Sequence, residues 1–116
     1  NTYMESNITV KPWGFYVDIL RQSDVVMKKI VVFPNEELSY QYHHKREEFW
    51  FVSSGTGVFT FDDENCQVSS GTSLVIPQEG KHMIKNNGQE DLIIFEMQCG
   101  ICEEDDIVRI TDKYNR

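Results

Sequence analysis

The sequence predicts an all-β fold, an antiparallel jelly-roll barrel, on three observations. Short runs rich in Val, Ile, Phe, Tyr and Thr recur along the chain, the composition that suits a pleated, half-buried surface. Between them stand clusters of Gly, Asn, Asp and Ser of the kind tight turns require. No segment keeps a 3.6-residue apolar period long enough for a helix. Many short strands joined by tight turns within 116 residues leave a sandwich or barrel as the architecture that buries them.

Taken in order, GFYVDIL at 14–20 and VVMKKIVVF at 25–33 open the series. LSYQYH at 38–43 and EFWFVS at 48–53 follow, parted by a charged loop, and GVFTF at 57–61 comes after the turn SGTG. FDDEN and SSG are read as turns before TSLVIP at 72–77, QEGK before HMIK at 82–85, and NNGQED before DLIIFEMQ at 91–98. The acidic run EEDD at 103–106 leads into IVRI at 107–110 and reads as a solvated turn rather than a metal site. Trp13 and Trp50 are read as core or rim packing rather than sugar platforms. Without repeat, linker or low-complexity tract, residues 1–116 form one domain, and 40% hydrophobic content suffices for one core.

A formal charge of −8, from 19 acidic against 11 basic residues, opposes nucleic acid or an anionic membrane surface as partner, because both repel it. An anionic small ligand then needs a local cluster of Lys and Arg. No apolar run approaches the roughly 18 residues of a membrane span, and NTYMESNITV lacks the layout of a signal peptide. The expectation is a cytoplasmic protein. Three cysteines cannot all pair within one chain, which suits a reducing compartment. Cys99 and Cys102 form a C-x-x-C with neither a second pair for zinc nor a helix for redox chemistry, and read as ordinary strand-end cysteines.

Residues two apart on a strand share a face, so Gln41 and His43 project together. Glu48 is in phase with Trp50 and Val52, and a hairpin brings it near His43. The strand after QEGK contributes His82, whereas His44 is out of phase with His43 and faces away. Two imidazoles, one carboxylate and one amide oxygen suit one divalent ion: zinc as the first expectation, with manganese, cobalt, nickel or iron as alternatives, and not calcium.

The spacing sharpens this. Asn35-x5-Gln41-x-His43-x4-Glu48-x6-Gly55 and Gly71-x5-Pro77-x-Glu79-x2-His82-x3-Asn86 keep every interval of the two motifs by which the cupin family is identified, G-x5-H-x-H-x4-E-x6-G and G-x5-P-x-G-x2-H-x3-N. Asn35 and Glu79 replace glycines. Asn adopts the left-handed conformation such a position demands, and Gly80 is expected to take the second turn in place of Glu79. KPWG, MKKIVVFPNEELSYQYHHKREEFWFVSSGTG, SLVIPQEGKHMIKN, IIFEMQCG and EEDDIVRITDKYNR further resemble successive pieces of the type II mannose-6-phosphate isomerase cupin, a domain that usually follows a nucleotidyltransferase domain. The glycine-rich start of that other domain has no counterpart here.

The resemblance implies a metal-dependent interconversion of mannose 6-phosphate and fructose 6-phosphate, with Gln41, His43, Glu48 and His82 as ligands and glutamine the regular residue at the first position. The family's histidine after the ligand glutamate is here Phe49, and its histidine two places after the ligand histidine is Lys45. The reaction moves a proton between neighbouring carbons, so it needs a general base, for which Lys28 and Glu96 are the candidates, with Arg109 as a further catalytic residue. Phosphate needs cations at the barrel mouth: Arg46, Lys81 and Arg109. A homodimer pairing through edge strands is expected. Two alternatives stand beside the isomerase. One is a metal-bearing cupin that only binds a sugar, sugar phosphate or sugar nucleotide. The other is an iron-dependent oxygenase, against which Gln41 and the DDIVR ending weigh.

Overall fold

A computed structural model describes residues 7–116. Eleven strands alternate with turns: β1 (Ile8–Lys11), β2 (Gly14–Arg21), β3 (Val25–Val32), β4 (Tyr40–Tyr42), β5 (Arg46–Ser54), β6 (Thr56–Phe61), β7 (Glu64–Ser69), β8 (Ser73–Ile76), β9 (His82–Lys85), β10 (Leu92–Gly100) and β11 (Val108–Thr111). They form two antiparallel sheets. The first runs β1-β2-β3-β10-β5-β8 and the second β11-β4-β9-β6-β7. This is the expected all-β architecture.

Two strands are absent from the sequence reading. Ile8–Lys11 is a four-residue edge strand ahead of Pro12, too short to show a period. Glu64–Ser69 reads ENCQVS and buries Val68 alone, so it lacks the apolar face that marks a strand. FDDEN does hold the turn, in its Asp62-Asp63 pair, with φ of 46° and 69°; two positive-φ residues are what a tight two-residue hairpin demands. Glu64 and Asn65 already belong to β7.

Alternation within each strand separates a core face from an outer face. On β5 the inward positions Glu48, Trp50 and Val52 are buried and the outward ones are not. The core packs Trp13, Val32, Trp50, Phe59, Ile84 and Ile94 between the sheets, so both tryptophans pack inside as expected. Toward one end of this interior the apolar side chains give way to polar ones, and there the sheets hold the site.

Candidate metal centre

Each sheet supplies part of the site. The second sheet pairs Gln41 with His82 across β4 and β9, with His43 just beyond β4. The first aligns Glu48 with Gln98, and Trp50 with Glu96 and then Lys28. All but Trp50 are buried polar groups turned toward the interior.

The ligand atoms of His43, Glu48 and His82 lie within 4.8 Å of one another. His43 Nδ1 is 2.7 Å from the Asp106 carbonyl oxygen, and His82 Nδ1 is 2.8 Å from that of Gly80. A carbonyl oxygen only accepts, so each Nδ1 carries the hydrogen and each Nε2 presents a lone pair. Those lone pairs face Glu48: His43 Nε2 is 3.2 Å from Oε2, and His82 Nε2 is 3.7 Å from Oε1. Acceptors converging on acceptors suit a shared cation, and anchoring the far imidazole nitrogen is how metal-binding histidines are oriented. Burial, helped by the Arg46 charge, pushes His43 down to about 4, and burial likewise lowers His82, which keeps both rings neutral and able to ligate. Gln41 lines the same cavity; its Nε2 donates to the Ser39 carbonyl at 3.3 Å, leaving Oε1 as an available donor atom. The buried Gln98 Oε1 has no partner among the described residues. These groups fit a divalent ion of the N/O-preferring kind.

Arg46 is placed differently from the expectation. It is buried, not at the mouth: Nε donates to Glu48 Oε2 at 2.9 Å, Nη1 donates to the Glu103 carbonyl at 3.0 Å, and Nη2 stands 3.4 Å from His43 Nε2. Its fork balances the Glu48 charge, and its side chain has no reach left for a phosphate at the rim. Trp50 Nε1 donates to the other Glu48 oxygen at 3.0 Å. Lys81 does not reach the cavity either, because it lies on the turn facing Asp62, to which its backbone N–H donates.

The two candidate bases are both present. Burial and the neighbouring Glu48 charge push Glu96 up to about 7, while Gln98 Nε2 donates to its Oε1 at 2.8 Å. Lys28 Nζ donates to Glu104 Oε1 at 2.7 Å and lies 4.0 Å from the Tyr16 ring centroid. For Glu104, burial raises the carboxyl, but Lys28 and Arg21 outweigh it and hold it at about 2.

The acidic run is the exposed turn its composition suggests at Glu103, Glu104 and Asp105, but Asp106 is buried and the segment is also tied to the site. Glu103 accepts Arg46 through its carbonyl and pairs with Lys45, Glu104 holds Lys28, and Asp106 accepts the backbone N–H groups of His44 and Lys45 at 3.0 and 2.9 Å. With its own carbonyl on His43, Asp106 makes the segment a clasp over the site. No spacing rule marks it, because the partners are 57 to 76 residues away in sequence.

The cavity, about 100 Å³, is also lined by Lys11, Arg109 and Arg116, the last with its guanidinium on Asp112 at 2.9 Å. Arg109 pairs in register with Gln41, as its assignment to the site requires. Lys11 and Arg116 have no motif to announce them; they stand at opposite ends of the described chain. Burial lowers Lys11, and the Arg116 and Arg109 charges lower it further, so three cations converge on the rim of an acidic protein. Phe49 and Lys45 lie off the site. Phe49 points out of the back of the first sheet, and Lys45, half-exposed, pairs with Glu103.

A family model described as "Mannose-6-phosphate isomerase C-terminal" matches residues 1–112. Mannose-1-phosphate guanylyltransferase of Escherichia coli K12 is 38% identical over 107 residues, 91% of this chain and 22% of that protein. Alginate biosynthesis protein AlgA of Pseudomonas aeruginosa is 39% identical over the same shares. The chain therefore spans about a fifth of the length of the curated relatives it matches. Among solved structures, the capsular polysaccharide assembling protein CapF of Staphylococcus aureus superposes with a TM-score of 0.76 at 21% identity, over 90% of this chain and 34% of that one. A double-stranded β-helix protein of Klebsiella pneumoniae does so with 0.75 at 14% identity, over 96% and 90%. Both show the fold alone.

Proposed function

This chain belongs to the mannose-6-phosphate isomerase C-terminal family of cupins, and from that premise we propose that it is a metal-dependent isomerase interconverting mannose 6-phosphate and fructose 6-phosphate. The observation that carries the reading is the placement of Glu96, buried in the same polar interior as the His43, Glu48 and His82 ligand cluster and oriented by Gln98 Nε2. A carboxyl placed there can take a proton from one carbon and return it to the neighbouring one. Isomerisation needs that alternation.

Gln41, His43, Glu48 and His82 would hold a divalent ion, which when bound would supply Lewis acidity toward the sugar's oxygens. The protein's own groups do the rest. Glu96 moves the carbon-bound proton. Lys28, fixed by Glu104 and Tyr16, offers a positive charge beside the reacting oxygens. Arg46 fixes Glu48, and Arg109, Lys11 and Arg116 at the rim receive the phosphate. Zinc is the ion we favour, with manganese, cobalt, nickel or iron as alternatives.

The binding-only alternative draws on Phe49, yet that side chain faces away from the cavity and removes nothing from it. The deciding experiment loads the purified chain with zinc, manganese or cobalt, adds mannose 6-phosphate and follows fructose 6-phosphate. Turnover that falls at least ~100-fold in Glu96→Gln, the range a general base contributes, is the expected result; no turnover with metal bound would leave the binding module. His43→Ala and His82→Ala should each lose the metal, and unchanged metal content in both overturns the ligand assignment.

A further inference from the structure

Ser39 Oγ and Gln98 Oε1 are buried and have no hydrogen-bond partner among the described residues. Buried polar atoms are ordinarily paired, and leaving one unpaired costs about 1–3 kcal/mol. Both side chains line the cavity that holds the His43, Glu48 and His82 cluster, and they do so from opposite walls. Ser39 stands directly ahead of β4 in the second sheet, in phase with Gln41 and His43. Gln98 lies on β10 in the first sheet, in register with Glu48. Its Nε2 is committed to Glu96 Oε1 at 2.8 Å. While Glu96 is a carboxylate, the amide keeps its N–H on that oxygen and its own Oε1 unpaired.

We infer that Ser39 and Gln98 bind hydroxyl groups of the substrate and so set its specificity for a polyhydroxylated phosphate. The inference rests on the sugar-phosphate reading above and adds two binding residues to it. Gln98 Oε1 only accepts, so whatever satisfies it must carry a hydrogen: a hydroxyl does, a carboxylate or carbonyl oxygen does not. The Ser39 hydroxyl rotates, and it both donates and accepts, so it takes a second hydroxyl in either sense. A ligand that satisfies both walls therefore carries more than one hydroxyl, and its anionic end is left to Lys11 and Arg109. Since Gln98 also bonds to Glu96, the hydroxyl it receives lies beside the carboxyl that moves the proton, which fixes the reacting carbons against that carboxyl. A phosphate without hydroxyls leaves both atoms buried and unpaired. A site built to bond a hydroxyl rejects a ligand that lacks one.

Calorimetric titration of the purified chain in the presence of zinc tests this with two probes. Mannitol 6-phosphate has the hydroxyls and the phosphate but no carbonyl to isomerise; inorganic phosphate has the charge alone. The wild type is expected to bind the polyol at least about 10-fold more tightly than inorganic phosphate. Ser39→Ala and Gln98→Met should each weaken the polyol about 10-fold, with phosphate affinity and zinc content unchanged. Ser39→Ala should also unfold at the same or a higher urea concentration than the wild type, because the hydroxyl it removes has no partner in the free protein. A hydroxyl that serves the fold, through an internal water for instance, would lose stability instead, and that result overturns the assignment. The inference also falls if either variant binds mannitol 6-phosphate as the wild type does, if polyol and inorganic phosphate bind alike, or if Gln98→Met releases zinc, which makes Gln98 a ligand of the ion. Turnover of mannose 6-phosphate with polyol affinity unmoved by both variants sinks the inference and keeps the isomerase. Hydroxyl-dependent binding without turnover keeps the inference and sinks the isomerase.

Discussion

Glu79 stands where the second motif places a glycine, and its backbone takes the left-handed conformation itself, with φ of 63°. Gly80 does not relieve it, contrary to the sequence reading: the Gly80 N–H closes the turn on the Pro77 carbonyl at 3.0 Å, which leaves Glu79 at the third position. Asn35, at 67°, meets the same demand with a residue that tolerates it. The Glu79 side chain gains an exposed 3.3 Å contact with His44, worth little at the surface. Glu79→Gly is therefore expected to stabilise the fold by roughly 1 kcal/mol, read by urea unfolding, with metal content unchanged; a loss of stability would show that the turn is not strained. Glu96 and His43 make a second prediction, for the metal-free protein. Glu96 binds its proton more tightly folded than unfolded, so stability falls as pH rises from about 4.5 to about 7. His43 does the reverse, since the unfolded chain binds the proton first, and stability rises between about 4 and 6.5. The two slopes oppose across the shared window. In Glu96→Gln the His43 slope is no longer opposed, and His82, which burial lowers as well, adds to it, so the chelated variant should gain about 3 kcal/mol more than the wild type between pH 4.5 and 7. Parallel profiles for the two proteins would dismiss the raised carboxyl.

Segments, rather than single side chains, set the ligands' aim. The stretch from Glu103 to Asp106 belongs to no strand, yet it grips Arg46, Lys28, Lys45 and the chain around His43. The Asp106 carboxylate accepts two backbone N–H groups, which together with the Arg46 and His43 charges outweigh its burial and hold its pKa below the ordinary value. Asp106→Ala leaves those N–H groups unpaired, at a cost of about 1–3 kcal/mol, and frees the loop that carries His43. Metal affinity is expected to drop 10–100-fold, as when outer-shell partners are lost. Metal titration and unfolding of the same variant check both numbers, and undiminished affinity would mean that β4 alone orients His43. Gly100 belongs to the same device. Its φ is 131°, and a Cβ there would come within 2.5 Å of the Lys45 carbonyl oxygen, so the exit from β10 toward the clasp requires glycine.

Across the whole molecule the ligands bridge the two sheets: His43 and His82 come with the second, Glu48 with the first. An ion bound there ties the layers together and binds the folded chain far better than the unfolded one. Saturating zinc at about 1,000 times its Kd adds about 4 kcal/mol, which for a chain of this size raises Tm by more than ~10 °C. Calorimetry with metal and with chelator should show that gap, and coincident transitions would argue that the cluster holds no ion. The same bridging explains why the rim cations come from β1, β11 and the last residue of the chain: the edges of both sheets meet at the mouth.

Composition and two-residue alternation determined the all-β class, nine of the eleven strands and the inward phase of Gln41, Glu48 and Glu96, because pleat geometry is local. Motif spacing determined which residues meet, since a fixed number of residues between two strands fixes their register. Lys11, Gln98, Glu104, Asp106 and Arg116 reach the site through contacts that no interval in the sequence encodes. Tertiary structure alone decided those, and it alone turned Arg46 inward, Lys81 away and Phe49 to the back of the sheet. The physical reason is that a side chain's partner across a barrel is set by how the sheets close on each other, and closure depends on every strand at once.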